Sequence, residues 1–184
     1  MSIASEEKLG RKQFELLLDQ RRLATRISEL ADRINTDYAD QTPVLLGVLK
    51  GCFVFMADLI RQIQLPVEVE FVSASSYRHG KTQESEVDFN GPLSIPLKGR
   101  RVLIVEAIVD TGRTVDTIRK HLAALEPTSV EVVTLIDKPA SHRVKLDIKY
   151  KGFSIGNEFV IGFGLDNTQR YRNLPFVGKM IDLR

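Results

Sequence analysis

Residues 102–115 read VLIVEAIVDTGRTV. The apolar run 102–105 has the length and β-branched content of a buried strand, and from Thr114 to about Leu125 apolar residues recur at helical spacing. Between them lies the short connection Asp110-Thr111-Gly112-Arg113-Thr114. Gly112 lets the backbone turn tightly, the first amides of the helix point outward unpaired, and the Thr111 and Thr114 hydroxyls add donors. Together they form a cradle for a phosphate dianion. An ordinary capped turn draws on the same residue types. The apolar strand and the acid Glu106 ahead of the loop favour the cradle.

The pattern continues on both sides. Residues 12–34 place Phe14, Leu17, Leu18, Leu23, Ile27, Leu30 and Ile34 mostly three or four apart, which predicts one or two amphipathic helices. Residues 43–49 (PVLLGVL) predict a strand, Lys50-Gly51 a turn, and residues 53–63 a helix. Strands follow at 67–72 and 130–136, with a long mobile loop expected from SSYRHGKTQESEVDFNG. Strands alternating with helices imply an α/β fold with a largely parallel sheet flanked by helices. The last third, including YKGFSIGNEFVIGFGLD, predicts a small strand-rich hood near the C-terminus. No repeat or linker divides the chain. The expectation is one domain over residues 1–184, with a core at about 37–150 and a hood from the N-terminal part and about 151–184.

The 184 residues and 43% hydrophobic content suffice for one substantial core. Lys and Arg number 26 against 24 Asp and Glu, a net charge of +2, so no nucleic-acid coat or membrane-surface role is expected. Cys52 is the sole cysteine, which excludes an intramolecular disulfide and fits a reducing compartment. The first ten residues hold no apolar signal core, and no apolar run approaches the roughly 20 residues of a membrane span. A soluble, cytoplasmic protein is expected.

Two other phosphate motifs fail. Gly80-Lys81-Thr82 ends like a P-loop, but Ser75 stands where its first glycine belongs. Gly162-Phe163-Gly164 begins like a dinucleotide fingerprint, but Asn167 replaces its third glycine.

VLIVEAIVDTGRT resembles the diphosphoribose-binding signature of type I phosphoribosyltransferases. The other landmarks, LLGVLKGCFVFMADL, SSY, LIDKP, NEFVIGFGLD and YRNLP, are similar to those of the hypoxanthine-guanine branch of that family, over about residues 16–180. The resemblance implies the type I phosphoribosyltransferase fold and a role in purine salvage. The reaction would be Mg2+-dependent transfer of a 5-phosphoribosyl group from 5-phosphoribosyl 1-diphosphate to N9 of hypoxanthine or guanine, giving IMP or GMP and pyrophosphate.

It also implies roles for single residues. Lys50 and Gly51 match a pyrophosphate-contacting turn that carries a cis peptide before the lysine. Glu106, Asp110, Thr111, Gly112, Arg113 and Thr114 match the diphosphoribose site, and Arg172 matches a cationic contact to pyrophosphate. Ser76 and Tyr77 match the head of a mobile loop that closes over the reacting centre and excludes water. Lys138 matches the donor to the purine 6-oxo group. Phe159 matches the aromatic that stacks on the base, with Val160 and Asp166 at the base edge. Asp166 and Glu106 match the carboxylates associated with magnesium, and Asp110 the candidate general base toward N7. A homodimer or homotetramer is expected.

One position departs from the pattern. The signature normally carries two adjacent acids, and here the second is Ala107. Weaker phosphoribosyl diphosphate binding and reduced turnover follow as expectations, with the fold intact. A milder departure is Asn167-Thr168-Gln169, less acidic than usual. Two rival functions use the same signature. One is a phosphoribosyl-diphosphate-sensing regulator that binds nucleic acid, for which only Lys98, Arg100 and Arg101 offer a basic cluster. The other is an impaired subunit of a hetero-oligomer, supported by Ala107 alone.

Overall fold

The computed structural model describes residues 14–75, 86–88 and 93–181. In chain order the elements are β1 (Phe14–Leu18), α1 (Gln20–Asp37), β2 (Val44–Leu49), α2 (Phe53–Ile60), β3 (Glu68–Ser75), β4 (Glu86–Asp88), β5 (Arg101–Val109), α3 (Arg113–Ala123), β6 (Ser129–Asp137), β7 (Tyr150–Ser154), β8 (Val160–Ile161) and β9 (Val177–Met180). A 3-10 turn, Pro139–Ser141, follows β6.

The main sheet runs β4-β3-β2-β5-β6-β7, with β4 antiparallel to β3 and every other pair parallel. Central strands of such a sheet are covered on both faces, which explains the unbroken apolar runs of β2 and β5. Side chains alternate between faces. Leu45, Leu103, Val105 and Ala107 join the cluster under α1 and α2, while Val44, Leu46, Val102 and Ile104 join the cluster with Val115, Ile118 and Leu122 of α3. The chain proceeds from β2 outward to β3, then returns to place β5 on the other side of β2. That reversal is a topological switch point, and ligands in open α/β sheets bind beyond the strand carboxyl ends there.

α1 buries Leu23, Ile27, Leu30, Ala31 and Ile34 as one stripe. At its end Asp37 accepts a 2.7 Å hydrogen bond from the Tyr150 hydroxyl and pairs with Lys149 at 3.1 Å, fastening the helix to the edge strand β7. The tyrosine hydroxyl and the lysine hold the Asp37 carboxyl below its usual range.

The expectation of helix from residue 12 is corrected at its start. Phe14–Leu18 is strand β1, antiparallel to β9 in a separate three-stranded sheet ordered β1-β9-β8. Apolar residues three apart fit either structure. What sets the boundary is Asp19, whose side chain accepts the Arg22 amide at 2.8 Å and caps α1. Residues 150–154, grouped in the sequence with the C-terminal segment, form β7 of the main sheet. The stretch expected as one loop contains β4. No helix of the described residues is long and apolar enough to cross a membrane.

Candidate active site

The signature forms as a strand, a loop and a helix. Gly112 stands at the α3 N-terminus with φ 79° and no side-chain hydrogen bond capping the helix. A Cβ there would meet Leu146 at 2.5 Å and Val144 at 3.0 Å, and the left-handed backbone favours glycine. The Arg113 amide reaches the Thr111 hydroxyl at 3.5 Å, and the first turn of α3 offers amides and a positive dipole end of the kind that suits an anion.

Across the switch point, β2 ends in Leu49-Lys50-Gly51, and the Leu49–Lys50 peptide is cis, as the resemblance led us to expect. The loop at 162–172 docks on this turn. Gly164, at φ 95°, lies so close that a Cβ would stand 2.3 Å from the Gly51 carbonyl oxygen. Farther along the loop Asp166 pairs with Arg172 at 2.8 Å and accepts the Gln169 amide at 2.7 Å, while Arg172 donates to the Gly164 carbonyl at 2.7 Å. The expected magnesium carboxylate and pyrophosphate cation are therefore partners of one another beside the Lys50 turn.

β6 ends beside β5, and its next residue, Lys138, is buried with its Nζ 3.0 Å from Asp110 Oδ2. The Lys138 amide donates to the Val109 carbonyl at 2.9 Å. Asp110 itself is half-exposed at the cleft. Phe159 is exposed, 39% of its surface being open, whereas Val160 is buried in β8. A 2.7 Å hydrogen bond from Ser141 to Asn157 ties the segment before Phe159 to the turn after Lys138.

Glu106 and Ala107 differ from the picture of an acid held out to ligand. Glu106 is buried and accepts the Ala107 amide at 3.0 Å. Burial pushes its carboxyl up to about 8, against a smaller opposing pull from the Ala107 and Ile108 amides. Ala107 is wholly buried in the cluster under α1 and α2, with its Cβ 3.6 Å from where a Cβ on Gly51 would stand. Cys52 is buried, and that burial pushes its thiol up to about 12, which leaves it unreactive. Ser76 and Tyr77 lie outside the described residues. Groups of three or more His, Cys, Asp or Glu able to hold a metal are absent among the described residues.

A cavity of about 810 Å³ opens between the start of α1, α2 and residues 169–175. Phe163 and Arg172 are among its lining residues, and Asp110 and Lys138 are not. Sequence reasoning missed Asp137 and His142, which lie behind Lys138. The signal was an acid at the end of the apolar run VVTLID.

A helix start at Gly112, a basic turn across the switch point from it, and an acid beside a buried lysine at the neighbouring strand ends form a cleft whose charges and open amides suit a phosphorylated, anionic substrate. Residues 13–168 match the phosphoribosyl transferase domain, and the chain belongs to that family of transferases. Within it, the chain groups with the hypoxanthine phosphoribosyltransferases. It is 43% identical to the enzyme of that name from Salmonella typhimurium over 169 residues, 91% of this chain and 95% of the relative. Among solved structures, a hypoxanthine phosphoribosyltransferase from Staphylococcus aureus superposes with TM-score 0.88 at 35% identity, covering 97% of this chain and 96% of the other. A hypoxanthine-guanine phosphoribosyltransferase from Bacillus anthracis gives 0.85 at 36%, covering 91% and 98%.

Proposed function

We propose that the protein transfers the 5-phosphoribosyl group of 5-phosphoribosyl 1-diphosphate to N9 of hypoxanthine or guanine, releasing pyrophosphate. The observation that carries this reading is the Lys138–Asp110 pair at the mouth of the Gly112 cradle. A lysine donor suits the 6-oxo group that both bases share. Asp110, beside it, is placed to take or share the proton at N7 as N9 attacks the anomeric carbon. Both strand ends then serve one reaction: α3 and Thr111 to Thr114 hold the 5-phosphate, and Lys50, Gly51 and Arg172 neutralise the departing pyrophosphate. Phe159 stacks on the base and Val160 meets its edge.

Magnesium fits the donor set in one way. Asp166 is a hard oxygen donor at a partly exposed turn, and Mg2+ keeps several waters and takes substrate oxygens, so one protein carboxylate suffices. Bound there, it would supply charge for the leaving pyrophosphate. Glu106, turned onto its own strand, supports the sugar site from beneath rather than as a direct ligand. Ala107 removes the second acid, which weakens phosphoribosyl diphosphate binding and slows turnover.

The regulator reading is the weaker one: of its three basic residues, Arg100 is paired with Glu68 at 2.7 Å and Lys98 with Glu126 at 2.5 Å, while Arg101 is exposed at the start of β5. Phe53 on α2 and Val69 and Phe71 on β3 are exposed apolar side chains, which favours a homodimer or homotetramer. A lone buried cysteine suits the reducing cytoplasm. Pyrophosphate release, measured with hypoxanthine, guanine and xanthine with and without Mg2+, tests the reading. Release that requires both a 6-oxopurine and Mg2+ supports it. Micromolar, salt-dependent RNA binding with no release would replace it with the regulator.

A further inference from the structure

Asp137 occupies the last position of β6, directly before Lys138, and is completely buried. Two groups from different elements meet its carboxylate. His142 Nε2 lies 2.7 Å from Oδ1, and Lys151 Nζ, from β7, lies 2.7 Å from Oδ2 as an ion pair without hydrogen-bond alignment. In the tautomer with its hydrogen on Nε2, His142 donates to Oδ1.

Removing one partner of a buried charge pair is costly, yet such pairs rarely stabilise more than apolar residues of the same size would. The position of this one points to a different use. Asp137 and His142 bracket Lys138, Pro139, Ala140 and Ser141, and their contact closes that turn into a small ring. Inside it the Ser141 amide donates to the Lys138 carbonyl at 2.9 Å. Outside it the Arg143 amide donates to the Thr111 carbonyl at 2.9 Å, and Ser141 reaches Asn157. One turn therefore fastens Lys138 to the phosphate loop, to the segment before Phe159 and, through Lys151, to β7.

We propose that Asp137 and His142 form a positioning pair for base recognition, fixing the turn that aims Lys138 at the 6-oxo group. This rests on the reading that Lys138 binds the base. A lysine stem has many rotamers, and a point charge recognises a carbonyl only when its root is held still. Neither residue touches substrate; both act through Lys138.

The test is steady-state kinetics of the full chain carrying His142→Ala or His142→Gln. Loss of one positioning contact should raise the hypoxanthine KM roughly ten-fold in His142→Ala, with kcat and the phosphoribosyl diphosphate KM within about two-fold. His142→Gln, which keeps a side-chain N–H donor, should recover most of the loss. An unchanged hypoxanthine KM in both variants overturns the positioning role while leaving the function standing. A fall in kcat with an equal rise in both KM values also overturns it, because that marks a merely structural pair. A wild-type chain that consumes no 6-oxopurine removes the reading beneath and the pair with it.

Discussion

Restoring the missing acid by Ala107→Asp tests structure and function together. Ala107 is wholly buried, and a Cβ built on Gly51 would lie 3.6 Å from its Cβ and 4.0 Å from Leu165. An introduced carboxyl enters this apolar space beneath the Lys50–Gly51 turn. Overpacking and burial of an incompletely paired polar group together should lower the stability of the unliganded chain by roughly 2–4 kcal/mol. The same carboxyl brings charge toward the sugar and pyrophosphate side of the site. A charge-assisted hydrogen bond gained with the substrate is worth about 1.5–3 kcal/mol, so kcat/KM for phosphoribosyl diphosphate should rise roughly ten- to hundred-fold. Urea unfolding with and without Mg2+ and phosphoribosyl diphosphate measures the first effect, and steady-state kinetics the second. The ligand should return most of the lost stability. Equal kcat/KM in the two chains would show that the missing acid does not matter. Unliganded stability changed by less than about 0.5 kcal/mol, the scale of a surface substitution, would refute the packing argument.

Three further outcomes follow. The folded value of Glu106 near 8 lies above its ordinary 4.5, so the folded state binds more protons between the two; its contribution is full below about pH 4.5 and is lost as pH rises through 8. The loss totals about 5 kcal/mol; Glu106→Gln should flatten that slope in urea titrations at pH 5 and 8 in EDTA, and an unchanged slope contradicts the assignment. Gly112→Ala forces a left-handed backbone and a methyl 2.5 Å from Leu146, which should cost roughly 1–3 kcal/mol by thermal unfolding and raise the phosphoribosyl diphosphate KM before the base KM. Asp110→Asn keeps the shape and loses the base, so kcat should fall roughly a hundred-fold or more while the phosphoribosyl diphosphate KM changes little; an unreduced kcat removes Asp110 from proton transfer.

The parallel core and the strand, Gly112 loop and helix of residues 101–123 were legible because their residues act locally. Apolar runs mark covered strands, and the glycine at 112 marks a backbone that only it adopts. Phe14–Leu18 was not legible, because a five-residue strand paired with β9, some 160 positions away, leaves no local period distinct from a helix. Resemblance carried Lys138, Asp166 and Arg172, whose spacing alone says little. It did not carry Asp137 and His142, whose meaning appears only when the turn after β6 folds back on its own strand. Glu106 was read as a ligand-facing acid, but the pleat and the neighbouring amides turn it inward.

The central claim is that a 5-phosphoribosyl group passes to N9 of a 6-oxopurine at the ends of β2, β5 and β6. Hypoxanthine, 5-phosphoribosyl 1-diphosphate and Mg2+ incubated with the chain, followed by NMR of the isolated nucleotide, examines that bond directly. The account predicts inosine monophosphate with the ribose on N9 and one equivalent of pyrophosphate. Recovery of unreacted hypoxanthine beside intact or merely hydrolysed phosphoribosyl diphosphate would contradict it.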